Sequence, residues 1–300
     1  ALTVPVGGFV QPLASGGLPE NPETKRRFKN LMDLTGLSQE LILRSAPRAS
    51  KTQLQRVHPK SYLDEFLRLS EDSGGEIGLR APFGFGGYDI ARRSVGLVIS
   101  AVEAVSLGEL KNAYALSRPP GHHCLPDFPN GFCLFNNIAV AVKAAQAKNI
   151  LKKISIVDWD VHHGNGTESI FYRDPSVQTI SIHQERNYPL DTGFFQDRGD
   201  GDGKGFNLNI PLPPGCGHKV YLETIKRLVI PSIEGFKPDL ILVACGFDAS
   251  GVDPLSRMLC GSNTFKQMTK VLVDLAEKIC SGRIVMAHEG GYSEVHVPFC

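Results

Sequence analysis

The sequence predicts an α/β fold: a mostly parallel central sheet with helices on both faces. Three observations carry that prediction. From residue 113 onward, short β-branched runs alternate with helical stretches, the pattern of a doubly wound sheet. Hydrophobic residues make up 42% of the 300, enough for a substantial core. No linker, repeat or low-complexity tract divides the chain, so residues 1–300 read as one domain, although a prior of about 150 residues per domain allows two.

In order along the chain, residues 1–24 are rich in Gly and Pro and read as irregular surface loops, after which helices begin. Ser50 followed by Gln53 fits a capping box. Val57, Tyr62, Leu63, Phe66 and Leu67 have the spacing of an amphipathic helix, and Asp89–Ser106 reads as a buried one. The strands are Ala113–Ser117, Ile154–Asp158, Thr179–His183, Leu240–Cys245 and Arg283–His288. Helices at Asn136–Ala147, His218–Glu234 and Asn263–Cys280 lie between them, with Gly282 placed to cap the last.

Charge and cysteine content exclude several function classes. With 32 Lys+Arg against 31 Asp+Glu the net charge is +1, too little basic excess for a phosphate-tracking surface, so nucleic acid is not the expected partner. The run Lys25–Lys29 reads as a solvated helix face. No apolar run approaches the roughly 18 residues needed to span a bilayer, so no membrane partner is expected. The start of the chain lacks the pattern of a signal peptide. Seven dispersed cysteines without a CxxC pair favour free thiols in a reducing compartment, hence a cytoplasmic location. The missing initiator Met and the abrupt stop at Cys300 suggest a chain trimmed at both ends. Gly199–Phe206 looks like a calcium loop, but Lys204 stands where an oxygen ligand belongs, and it reads as a flexible turn.

In an open α/β sheet, ligands bind beyond the carboxyl ends of the strands, and four predicted ends carry unusual concentrations of polar residues. Asp160 and His162 are two apart and can point to one side, and Asp248 can join them from a neighbouring strand. Two carboxylates and an imidazole around an open position is the ligand set of a catalytic divalent metal, zinc first among the candidates. His122 and His123 follow a Pro-Pro-Gly turn. Asp158 can orient one of them and raise its basicity, and Asn165 can orient the other without adding charge, which would leave one imidazole suited to act as base and one as acid. Tyr292, after two glycines, can donate to a developing oxyanion.

These residues lie in five ordered motifs: RPPGHH (118–123), NGFCLFNN (130–137), DWDVHHGNG (158–166), GFDASGVDP (246–254) and EGGY (289–292). From about residue 20 to its end the chain resembles the zinc-dependent histone deacetylase superfamily. Within it, the bacterial class II-like amidohydrolases, relatives of the acetylpolyamine amidohydrolases and acetoin-utilisation proteins, are the nearest in pattern. The resemblance implies the arginase/deacetylase fold and one zinc held by Asp160, His162 and Asp248. It also implies hydrolysis of a linear amide, an acetylated amine of the acetyl-lysine or acetylpolyamine kind, to acetate and free amine. His122, His123, Asp158, Asn165 and Tyr292 take the catalytic positions. Asn165 follows the class II habit, and a Tyr at 292, where some vertebrate class II relatives have His, implies full activity on acetyl groups. Gly131, Phe132, Tyr188 and Leu255 fall on the substrate channel, with Tyr188 replacing the usual second Phe. A structural potassium is implied at Asp158, Asp160, His162, Ser181 and Ile182, and a homodimer or homotetramer is an assembly the bacterial relatives suggest. Two rival readings are a binuclear manganese ureohydrolase, whose second-metal carboxylates are replaced here by His122, His123 and Asn165, and a domain that only binds acetylated partners, which would be expected to have lost a ligand or the tyrosine.

Overall fold

A computed structural model describes residues 18–300, built around a six-stranded parallel sheet. Along the chain come α1 (Glu23–Leu34), α2 (Lys51–Leu54), α3 (Lys60–Asp72), an antiparallel pair β1 (Gly74–Glu76) and β2 (Pro82–Gly84), α4 (Gly87–Ser106), β3 (Asn112–Ala115), α5 (Asn137–Ala147), β4 (Ile154–Asp158), α6 (Asn165–Phe171), β5 (Val177–Gln184) and β6 (Asn207–Leu212). They are followed by α7 (His218–Thr224), a π-helical stretch (Ile225–Val229), α8 (Ile230–Phe236), β7 (Leu240–Cys245), α9 (Ser262–Cys280) and β8 (Ile284–His288).

The inner strands β8, β7, β4 and β5 are buried on both faces, which is why they read as continuous apolar runs rather than alternating ones. Their side chains alternate between two cores. Leu240, Leu242 and Ala244 of β7 pack with α4 and α5 on one face, and Ile241, Val243 and Cys245 pack with α7–α9 on the other. The strand order is β3-β8-β7-β4-β5-β6. From β4 the chain runs outward through β5 and β6, then returns so that β7 pairs with the other side of β4. The crevice beyond the ends of β4 and β7 is therefore a topological switch point, where open α/β sheets bind ligands.

Several expected boundaries shift. The capping box of Ser50 and Gln53 is present. The strand expected to end at Ser117 stops at Ala115, and the Ser117 hydroxyl instead donates to His288 O at 2.9 Å. The helix expected over His218–Glu234 is interrupted by the π-helical stretch just before Pro231, which has no N–H to continue a regular ladder. Ser281, at φ +57, caps α9 in the left-handed region, and Gly282 follows it. β6 was not expected from sequence: it is an edge strand carrying Pro211, with Asn207 and Asn209 turned to Glu168.

Two surface readings need correction. Residues 18–24 are not surface wrapping: Glu20 is buried and grips Arg118 at 2.9 and 3.0 Å, and α1 has begun by Glu23. The rest of the 1–24 expectation lies outside the described residues. Lys25 is not solvated but buried, with its ammonium 3.7 Å from the Glu20 carboxylate. Gly199–Phe206 is a surface turn, as expected, with a short 3-10 helix (Gly201–Gly203) in which Gly203 is buried, and Arg173 pairs with Asp200 at 2.5 Å. Among the described residues no helix is long and apolar enough to cross a membrane.

Candidate active site

The chain leaves β4 as a tight turn held by carboxylates. Asp160 N–H donates to Asp158 Oδ1 (3.0 Å), Val161 N–H to Asp248 Oδ1 (2.8 Å) and His162 N–H to Asp160 Oδ1 (2.9 Å), while Gly290 N–H beyond β8 donates to Asp160 Oδ2 (2.8 Å). This turn draws Asp248 from β7 against the residues after β4. Gly290 is required by close approach: a Cβ there would stand 2.2 Å from Asp248 Oδ2 and 2.6 Å from Asp160 Oδ2.

Asp160, His162 and Asp248 are buried and present ligand atoms all within 4.8 Å of one another. His162 Nδ1 lies 3.0 Å from both Asp160 Oδ1 and Asp248 Oδ2. The surroundings are rich in buried acid: Asp158, Asp160, Asp248, Asp253 and Glu289. Burial, then the neighbouring Asp160 charge, pushes Asp248 up to about 7, and burial pushes Asp253 to about 6 and Glu289 to about 7. Carboxylates crowded in this way are stabilised by a cation, and two oxygens with one imidazole nitrogen suit a divalent ion of intermediate softness. The residues present fit a metal.

The histidine pair stands beside this cluster, its two rings 4.0 Å apart. His122 Nδ1 meets Asp158 Oδ2 at 2.9 Å, and His123 Nδ1 meets Asn165 Oδ1 at 2.8 Å. Burial opposes charging His122, but the Asp160 and Asp158 carboxylates outweigh it and hold its pKa well above the usual range. Burial, reinforced by His122 and His162, drives His123 well below it. Tyr292 closes the opposite side, its ring 6.3 Å from His162 and 6.0 Å from Phe132. Burial and the Asp160 and Asp248 charges keep its phenol protonated, a donor at neutral pH.

Phe132 and Tyr188, both partly buried, flank these groups, their rings 6.0 Å from Tyr292 and 6.2 Å from His162 respectively. Gly131, at φ +52, leaves no room for a side chain, since a Cβ would come 2.5 Å from His123 Cδ2 and 2.7 Å from Tyr188 Cε1. The Tyr188 ring is edge-on to His123 at 5.0 Å, and its hydroxyl donates to Asn130 Oδ1. Leu255 is partly buried, its carbonyl accepting from Asn187 Nδ2 at 3.1 Å. Asp158 and Ser181 are register partners on β4 and β5, which brings the strand-end set with Asp160, His162 and Ile182 together; the Ser181 hydroxyl faces His183 Nδ1 at 2.9 Å.

Two supporting carboxylates were not singled out from sequence. Glu289 Oε2 accepts from the backbone N–H groups of Gly121 (2.6 Å) and His122 (3.1 Å), fixing the turn that aims the histidine pair. Asp253 accepts from Tyr292 N–H (2.8 Å) and Leu255 N–H (2.9 Å), joining the tyrosine to the rim. Both sit in motifs the sequence displays, but their partners are backbone amides, which leave no mark in a pattern of side chains. Cys133 lies with His122 and Glu289, yet burial raises its thiol well above the usual range, so it is no nucleophile.

A parallel α/β sheet with a buried acid and histidine cluster at its switch point is the arrangement of an enzyme whose site suits a metal. The histone deacetylase domain model matches residues 18–300. The chain is 55% identical to a histone deacetylase-like amidohydrolase of Pseudomonas aeruginosa, over all of this chain and 79% of that relative. It is 38% identical to a probable deacetylase of Archaeoglobus fulgidus, over 92% of this chain and 77% of that one. The crystal structure of the HDA15 HD domain superposes with a TM-score of 0.92 at 31% identity, covering 99% of this chain and 86% of that one. The chain belongs to the histone deacetylase family, whose members of this type are deacetylases and amidohydrolases.

Proposed function

We propose that the chain is a zinc-dependent amidohydrolase that cleaves acetylated amines, acetyl-lysine-like or acetylpolyamine, to acetate and free amine. The observation that carries this reading is the convergence of Asp160, His162 and Asp248 beside two differently partnered histidines and a tyrosine. These three residues would hold the zinc, which when bound would polarise the acetamide carbonyl and a water molecule. Asp158, Asp160, His162, Ser181 and Ile182 would hold a structural potassium. The whole chain would act as one deacetylase domain.

The chain's own residues supply the rest. Phe132 and Tyr188 hold the alkyl arm, and Gly131 lets the walls close on it. His123, neutral and with Nε2 in no hydrogen bond among the described residues, takes a proton from the attacking water. His122 stays charged against Asp158 and contributes positive charge where the substrate oxygen becomes negative. The Tyr292 hydroxyl donates to that oxyanion. The proton taken by His123 passes to the amine nitrogen as the C–N bond breaks, giving acetic acid and the neutral amine; the carboxyl proton then passes to the amine in water, so acetate and an alkylammonium are released. Replacing Tyr292 with Phe should lower kcat on a fluorogenic acetyl-lysine substrate by about 10²–10³-fold, the usual loss for one oxyanion donor, while bound zinc stays at the wild-type level. A near-wild-type kcat would remove Tyr292 from the chemistry.

A further inference from the structure

The segment after β1 is tied to the loop that carries Phe132. Leu79 N–H donates to Pro129 O (3.1 Å), Gly131 N–H to Leu79 O (3.0 Å) and Phe132 N–H to Arg80 O (2.7 Å). Gly78 passes so near that a Cβ would sit 2.1 Å from Pro129 O. Arg80 and Phe132 are both held in the left-handed region, at φ +54 and +66, so the backbone fixes where Arg80 stands relative to the channel wall.

The Arg80 side chain is exposed and turns onto Tyr188, its guanidinium carbon 5.6 Å from the ring centroid, within cation–π range. The same half-buried ring meets buried His123 at 5.0 Å. A permanent positive charge therefore stands at the outer end of the aromatic slot whose inner end is the histidine pair. Glu76, the carboxylate on the same turn, accepts from Ala81 N–H at 3.1 Å, and among the described residues no carboxylate lies within ion-pair distance of Arg80.

We propose that Arg80 selects the substrate: it recognises a carboxylate or carbonyl beyond the alkyl arm and disfavours a second cation there. This rests on the reading of the slot as an acetylamine channel. Acetyl-lysine beside acidic residues meets the requirement, whereas an acetylated polyamine carries an ammonium toward Arg80.

The test is kcat/KM of zinc-loaded wild type and Arg80→Glu on three probes: two acetyl-lysine peptides of one scaffold, flanked by glutamates or by arginines, and N-acetylputrescine. Wild type should favour the glutamate-flanked peptide over the arginine-flanked one by roughly three- to tenfold, the scale of partly exposed charge pairs, and over N-acetylputrescine. Arg80→Glu should invert the peptide preference, and Arg80→Gln should fall between. The wild-type preference should shrink toward unity near 1 M salt, where the Debye length is about 3 Å. Because the readout is a ratio, a general loss of activity in a variant cancels. A peptide ratio unchanged in Arg80→Glu, or a wild-type preference for either cationic probe, overturns the assignment. Failure of wild type to turn over any of the three overturns the deacetylase reading beneath it.

Discussion

Two sets of buried histidines differ in what their nitrogens face. In His58 and His183 both ring nitrogens are taken by neutral partners. His58 Nδ1 lies 2.7 Å from Pro126 O while Nε2 accepts from Asn136 N–H at 3.1 Å; His183 Nε2 faces Gly193 O at 3.0 Å and Nδ1 faces Ser181 Oγ at 2.9 Å. In His122, His123 and His162 one nitrogen is fixed by Asp158, by Asn165 or between two carboxylates, and His122 Nε2 and His123 Nε2 are in no hydrogen bond among the described residues. Burial is equal in the two sets. A free ring nitrogen is not enough by itself, since the Nε2 of buried His288 also lacks a partner; what sets His122 and His123 apart is a free nitrogen held beside the acid cluster.

The largest expected effect of breaking that contrast lies at Asp248. Asp248→Ala removes one of the three proposed ligands and leaves His162 beside Asp160 alone, so metal analysis of the purified protein should find bound zinc far below one per chain, with activity lost alongside it. Full zinc occupancy in this variant would overturn the assignment of the site. His58 lies on the other side of the contrast, and its replacement should leave zinc content untouched.

For His58 the expected change is in stability. Burial, opposed only weakly by the Pro126 carbonyl, lowers its pKa from 6.5 to about 4. Between those values the unfolded chain binds a proton that the folded one excludes, so stability is complete above about pH 6.5 and falls as pH drops toward 4. At about 1.4 kcal/mol per pKa unit, this one group accounts for roughly 3 kcal/mol of acid destabilisation. His58→Gln keeps a donor and an acceptor but cannot titrate, so the variant should lose less stability than wild type between pH 7 and 4 in denaturant melts. Parallel pH profiles would mean that His58 is already charged in the folded protein.

How much of this was legible follows the same physics. The inner strands could be read because burial on both faces makes them unbroken apolar runs, and the site could be read because polar residues gather directly after those runs, as at Asp158–Asn165 and His288–Tyr292. β6 could not, because an edge strand holding Pro211 and two asparagines turned to Glu168 resembles a loop. Lys25 was misread because a charge run looks solvated until the tertiary fold supplies Glu20. Arg80 belongs to no motif; its place depends on backbone bonds between segments some fifty residues apart, between Leu79–Arg80 and Pro129–Phe132.

Two tyrosines repeat the contrast at smaller scale. Tyr292 holds its hydroxyl free of any hydrogen bond among the described residues, whereas Tyr188 gives its own to Asn130, on the loop that carries Gly131 and Phe132. On the proposed reading the Tyr188 hydroxyl braces one wall of the slot against the other and takes no part in the chemistry. Tyr188→Phe keeps the ring and its packing on His123 and loses one hydrogen bond, worth about 0.5–1.5 kcal/mol. KM for an acetyl-lysine substrate should rise by about two- to tenfold with kcat nearly unchanged, because the loss falls on positioning the alkyl arm rather than on the oxyanion. A fall in kcat comparable to that of Tyr292→Phe would mean that the Tyr188 hydroxyl reaches the reacting atoms, and the division between a bracing and a donating tyrosine would not hold.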